Sequence, residues 1–187
     1  MKIIFIIIIS SIIFCAESKS DSELWPIIQK KFNNDLAKDF TNQDVESWLE
    51  YFAPNKKINI YQYGPDVSGE NGDGQTIKVY TGPFLCSIVR GRMPAKLMAK
   101  TVFKRLKKQD YKKSRVELLA ILQKDSTLSA YVRFERINSS GKVYQSAKSV
   151  YTMTNINEEW YIIEMSTYDD SFKTNEVVGY DKMWYPH

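Results

Sequence analysis

Residues 130–166 read AYVRFERINSSGKVYQSAKSVYTMTNINEEWYIIEMS, three runs of β-formers parted by NSSG and by NINEE. Val, Ile, Tyr, Phe, Trp and Thr recur here at a period near two, the mark of strands rather than helices. The parting clusters are polar, turn-forming and short enough for hairpins. Upstream, RVELLAILQ at 115–123 behaves the same way and ends in KDST. Four strands are therefore expected, at 115–123, 128–137, 142–154 and 159–168, paired as an antiparallel meander.

The first half of the chain has a different period. Leu24, Ile27, Ile28, Phe32 and Leu36 recur at three- and four-residue spacing, which predicts a helix over 21–40 with Pro26 tolerated in its first turn. Val45, Trp48, Leu49 and Phe52 predict a second helix over 42–52, capped by Thr41 or Asn42 and closed by Pro54. A strand is expected at 58–63 (INIYQY), another at 76–80, and a third helix at 94–109 with Leu97, Met98, Val102 and Leu106 turned inward. Helices first and a meander after them make an α+β domain.

Residues 1–18, MKIIFIIIISSIIFCAES, carry Lys2, an apolar run from Ile3 to Phe14 and a small-residue exit, the arrangement of a secretory signal. The expected organisation is a signal at 1–18, a tether at 19–22, one domain over 23–170 and a tail over 171–187. Export would place the protein in the periplasm or outside the cell. Cys15 is either discarded with the signal or lipidated as an anchor, although Phe14 is bulky for a lipoprotein signal.

Cys86 and His187 bound the chemistry further. Without Cys15, Cys86 has no intramolecular disulfide partner, and a buried structural thiol is the expected role. With one terminal His and one Cys, a His/Cys zinc site cannot be assembled within one chain, and a Ser-His-Asp arrangement is not expected. The acids of the loop GPDVSGENGDG at 64–74 (Asp66, Glu70 and Asp73) fail the calcium-loop test, since Asn71 stands where Gly is needed and Ile77 where Glu is needed. The residues thus call for no metal and no cofactor.

Between Arg90 and Arg115 eleven basic residues face the single acid Asp110. Lys96, Lys100, Lys104, Lys107 and Lys108 share the polar side of the third helix, either as a solvated face or as a contact for an anionic membrane or acidic partner. No nucleic-acid motif accompanies them and the aromatic residues lie elsewhere, so no nucleic acid is expected as a partner.

The order of elements, and above all the arc from Ala130 to Ser166 with its Gly141 turn and the pair Trp160 and Ile162, resembles the nuclear transport factor 2-like superfamily. That superfamily includes the SnoaL-like cyclases and ketosteroid isomerase, and the likeness covers residues 22–170. The resemblance implies a cone: a strongly curved antiparallel sheet wrapped around three N-terminal-half helices, a cystatin-like α+β roll with a mostly apolar pocket. It also implies homodimers formed through the sheet. Setting the first strand against the isomerases places their carboxylate base at Gln62, an amide, and the pocket His residues of the dehydratases of this fold have no counterpart here. The Asp-Arg-Asp relay of its epoxide hydrolases finds only Arg133 with Glu135 or Glu164.

Two functions remain open on these grounds. One is a module that binds a small apolar ligand or a partner protein, with no assignable catalysis. The other is a cofactor-independent SnoaL-like lyase, isomerase or hydrolase that uses carboxylate and Tyr residues. The face carrying Tyr131, Arg133, Glu135, Tyr151, Trp160 and Glu164 is the expected pocket wall, joined by Tyr61 and Tyr63. Glu164, Arg133 and Asp66 are the candidates for chemistry. Trp48 and Phe52 are expected to fill the core.

Overall fold

The computed structural model of the 187-residue chain describes residues 21–63, 74–171 and 182–184. The proposed signal, Cys15, the acidic loop with Asp66 and most of the tail lie outside the described residues. Helix α1 (Asp21–Gln29) runs through a π-helical turn (Lys30–Leu36) into α2 (Ala37–Asn42), so the first predicted helix is one rod. Along it Leu24, Ile28, Phe32 and Leu36 are buried, while Ile27 on the flank is not. Helix α3 (Val45–Leu49) is shorter than predicted and begins later. Gln43 takes a left-handed φ of 56° that stops α2, and the Asp44 carboxylate accepts from the Glu46 and Ser47 amides, a cap that replaces the expected Thr41 or Asn42.

Strands β1 (Lys57–Gln62) and β2 (Gln75–Tyr80) form a hairpin. A two-turn helix α4 (Phe84–Val89), which the period did not disclose, leads through the two-residue β3 (Met93–Pro94) to α5 (Ala95–Lys108). The meander follows as β4 (Tyr111–Lys124), β5 (Thr127–Asn138), β6 (Val143–Ile156) and β7 (Glu159–Tyr168), and β8 (Lys182–Trp184) pairs with β4. The sheet order is β3-β2-β1-β7-β6-β5-β4-β8. The sheet is antiparallel except where β1 lies parallel to β7 and β3 parallel to β2.

The meander carries four register shifts, and two of them lie where the sheet is tied to the helical half of the chain. Between β6 and β7 the register passes from Thr152↔Glu164 to Met153↔Ile162, leaving Ile163 as the extra residue. The segment after α3 takes up the freed groups: Ile162 N–H donates to Tyr51 O at 2.8 Å and Ala53 N–H to Ile162 O at 2.9 Å. Between β4 and β5 the extra residue is Leu119. Next to it, the Leu118 amide donates to Asn33 Oδ1 of the π turn at 3.0 Å, tying helix to strand at the point of curvature. Each bulge also inverts the in/out alternation beyond it.

The core lies between the concave face and the helices. Ile28, Phe32, Ile58, Leu106, Ile121, Leu128, Met153 and Ile162 are fully buried in it, and Trp48 meets Phe52, Phe40 and Phe103 edge-on at 5.0, 6.0 and 5.9 Å. Burial on this scale contributes about 1.5–3 kcal/mol per large side chain, which makes this face the main source of stability.

The last hairpin closes on Asn157 and Glu158, with φ of 51° and 68°, between the paired Ile156 and Glu159. Both central residues are left-handed, the geometry of a type I′ turn, which prefers Gly at its second position. Glu158→Gly should therefore raise stability by about 0.5–1 kcal/mol, read as a higher urea midpoint at unchanged slope. The Asn155 side chain, which accepts from the residue 158 amide at 3.1 Å, is untouched by that change.

Candidate ligand cavity

A cavity of about 110 Å³ opens between the concave sheet and the helices. Leu36, Phe40 and Trp48 reach it from the first helices and Met98 and Val102 from α5. Ile60 and Gln62 come from β1, Ser114 and Val116 from β4, Val132, Phe134 and Arg136 from β5, Tyr151 from β6, and Met165 and Thr167 from β7. An engineered apolar cavity of ~150 Å³ holds benzene, so this somewhat smaller one takes at most a single ring or a short chain.

The wall is apolar except at one end. Arg136, only 6% exposed, donates from Nη1 to Gln145 Oε1, and its guanidinium lies 4.7 Å from the centroid of the Phe134 ring. Close by, the Tyr111 hydroxyl shares hydrogen bonds with Ser114 Oγ at 2.8 Å and Thr41 Oγ1 at 3.4 Å. Thr167 Oγ1 is 3.4 Å from Ser149 Oγ. A guanidinium stays charged at any accessible pH and presents a planar fork of donors, so this end favours acceptor oxygens.

Tyr151 stands between the cation and the core, its ring centroid 4.9 Å from that of Phe32. Burial pushes its phenol up to about 12, against the opposing pull of the Arg136 charge and the Ser149 hydroxyl. It is thus a neutral hydrogen-bonding group near neutral pH. Because the folded value lies above the ordinary 10, the stability linked to it is complete below pH 10 and is lost as pH rises from 10 towards 12. Tyr151→Phe should flatten that loss by on the order of 2 kcal/mol, seen by comparing urea midpoints at pH 9 and pH 12 for the two proteins.

The structure sorts the expected pocket residues onto two faces. Tyr151 lines the cavity. Tyr61, Tyr63, Tyr131, Arg133 and Glu164 do not: Ala130↔Tyr151 and Val132↔Ser149 are the pairs across β5 and β6, so the Val132, Phe134, Arg136 parity faces inward and the Tyr131, Arg133, Glu135 parity outward. The bulge at Ile163 then sends Glu164 out as Ile162 goes in. Trp160 packs on the edge of the main core without reaching the cavity.

On the outer face Tyr131 joins Ala120 and Leu122 in a second small core. Arg133 pairs with Asp170 at 2.9 Å and approaches Glu135 at 4.0 Å, so the supposed pair with Glu164 is replaced by an outer-face network that also holds Arg115–Glu135 at 2.8 Å. Tyr61, Tyr63 and Tyr168 stack there at 6.3 and 5.4 Å between successive rings. Cys86, expected as a buried thiol, is exposed on α4. Leu97, expected to face inward, is half exposed.

Arg136 and Gln145 were the residues missed. A signal existed: Arg136 shares its parity with Val132 and Phe134, a charge on the apolar side of its own strand. Gln62, where the isomerase alignment places a base, does line the cavity, as an amide. Among the described residues no group of three or more His, Cys, Asp or Glu is gathered in a way that could hold a metal ion.

Against solved structures, the chain superposes with a TM-score of 0.53 on an NTF-2 like protein of unknown function from Shewanella oneidensis, over 79% of this chain and 99% of that one at 9% identity. The fold is the nuclear transport factor 2-like cone. A protein of unknown function with a cystatin-like fold from Nostoc punctiforme gives 0.50 over 82% and 95% of the two chains at 15% identity. Aln2 from a Streptomyces species gives 0.51 over 81% and 94% at 8% identity. No family model and no curated protein sequence matches the chain. At such identities the likeness reaches the cone fold and stops there.

Proposed function

We propose that this cone is a binding module for a small apolar molecule that carries an anionic oxygen, such as the carboxylate of a one-ring or short-chain acid. One observation carries the reading: among the described residues a single charged side chain, Arg136, lines an otherwise largely apolar cavity small enough for such a ligand. The ring or chain would displace water from Trp48, Met98, Val132 and Phe134, and its acceptor would meet the guanidinium, with the neutral Tyr151 phenol able to donate beside it.

Catalysis has less to work with. Among the described residues the lining contains no carboxylate, imidazole or thiol, and Glu164 points away from it. Tyr151, held neutral to about pH 12, is an ineffective base at physiological pH. The apolar run at 3–14 supports export as the setting for this binding, with homodimerisation through the outer sheet face as a further part of the proposal.

Calorimetric titration with benzoate, benzyl alcohol and acetate tests the reading. Saturable one-to-one binding of benzoate, with both partial analogues at least about tenfold weaker, supports it, since the first analogue lacks the charge and the second the ring. Equal affinity for benzoate and benzyl alcohol would remove the role given to Arg136. Val132→Trp, which fills the cavity from β5, should abolish the heat.

A further inference from the structure

Helix α4 is inside out. Its sequence FLCSIV has one hydroxyl, Ser87, and that residue is fully buried, its Oγ donating to Pro83 O at 3.3 Å. The apolar side chains point the other way: Phe84 is 59% exposed, Leu85 73%, Ile88 58% and Val89 88%. Cys86 is exposed among them. Apolar side chains so fully turned outward around a two-turn helix mark a surface made for something other than water.

The surroundings say what that is. A groove beside α4 is shared by Phe84, the half-exposed Leu97, Lys96 and Lys100, so the apolar knob and the start of the basic face of α5 belong to one surface. Lys104, Lys107 and Lys108 continue that face, all exposed, within the 90–115 stretch where eleven basic residues face one acid. An apolar tip with basic shoulders matches a layer that is apolar inside and anionic at its rim. Every residue of the knob but Ser87 is exposed, so it is apolar on more than one side. A protein partner would need a shape-matched pocket for it, whereas acyl chains need no matching.

We infer that the protein docks peripherally on anionic bilayers, with Leu85, Ile88 and Val89 of α4 entering the acyl boundary and Lys100 and Lys104 meeting lipid phosphates, Lys96 being already paired with Glu46. Among the described residues no helix is long and apolar enough to cross a membrane, so this contact lies at the interface. The docking does not depend on the cavity ligand proposed above.

Cosedimentation of the full chain with phosphatidylglycerol and with phosphatidylcholine vesicles tests it. The apolar run at 3–14 is common to every variant, so differences between variants report on α4 and α5. The expected result is preferential binding to phosphatidylglycerol, weakened by salt and reduced at least about tenfold by Leu85→Asp with Val89→Asp and, separately, by Lys100→Glu with Lys104→Glu. All four positions are exposed, so melting temperatures should hold within a few degrees. Vesicle binding that ignores both pairs of substitutions, or lipid charge, would overturn the inference. So would a Leu85→Asp/Val89→Asp protein that keeps its vesicle binding but loses self-association or the capture of an acidic protein, because the patch would then serve a protein interface.

Discussion

Arg136→Met should weaken benzoate binding by roughly 10- to 150-fold while leaving the fold intact, because a hydrogen bond to a charged group contributes about 1.5–3 kcal/mol. The two halves of this expectation rest on different physics. Binding suffers because the lost guanidinium is the one cation in the wall of the cavity among the described residues. Stability survives because the same guanidinium is nine-tenths buried, and taking a charge out of water is costly even when Gln145 and the Phe134 face receive it. Met keeps the length and apolar contact of the Arg stem, so the expected cost is confined to about 1–3 kcal/mol for taking the donor away from the buried Gln145 side chain, which a folded domain withstands. Benzyl alcohol, which needs no cation, should bind the variant about as well as the parent. A variant that loses both ligands equally would indicate a collapsed cavity, and its melting curve would show it.

Phe32→Ala should cost about 3–5 kcal/mol, a large part of the 5–15 kcal/mol that holds a domain together. Phe32 is fully buried on the π-helical turn and meets the Tyr151 ring at 4.9 Å. Its removal leaves a hole walled by the rigid concave sheet on one side and by a helix on the other. Neither can close in: the helix is held to the β4 bulge by the bond from the Leu118 amide to Asn33, and β7 is held at its own bulge by Tyr51 and Ala53. Thermal unfolding should shift down by about 10 °C or more. A drop of only a degree or two would mean that the helix is not clamped as the contacts describe.

How far these features were legible in the chain depends on what encodes them. The meander was, because strand period and turn chemistry are local: NINEE closes a tight hairpin at Asn157 and Glu158, and the strand ends fall within a few residues of those expected. Which face turns inward was not. Parity is a global choice made where the strands meet the helices, and the bulges at Leu119 and Ile163 invert it part-way along two strands with no mark in the alternation. Glu164 and Ile162, two apart in sequence, consequently stand on opposite sides of the sheet.

Helix α4 was hidden for a related reason. Six residues are too few to show a helical period, and Cys86 within FLCSIV reads as a buried thiol because cysteines and their apolar neighbours usually are buried. Only the coordinates place its hydroxyl inside and its Leu and Val outside. The basic face of α5, by contrast, was plain in the sequence, since charge clustering survives any detail of packing.

Crystals soaked with 4-bromobenzoate would show whether the cone holds such an acid, because bromine can be located by its anomalous scattering without reference to the rest of the density. One peak is expected inside the cone, against Trp48 and Met98, with the carboxylate about 2.7–3.0 Å from the Arg136 guanidinium. A cone left empty at saturating ligand, or a ligand held only on the outer face beside Tyr61 and Tyr63, would contradict it.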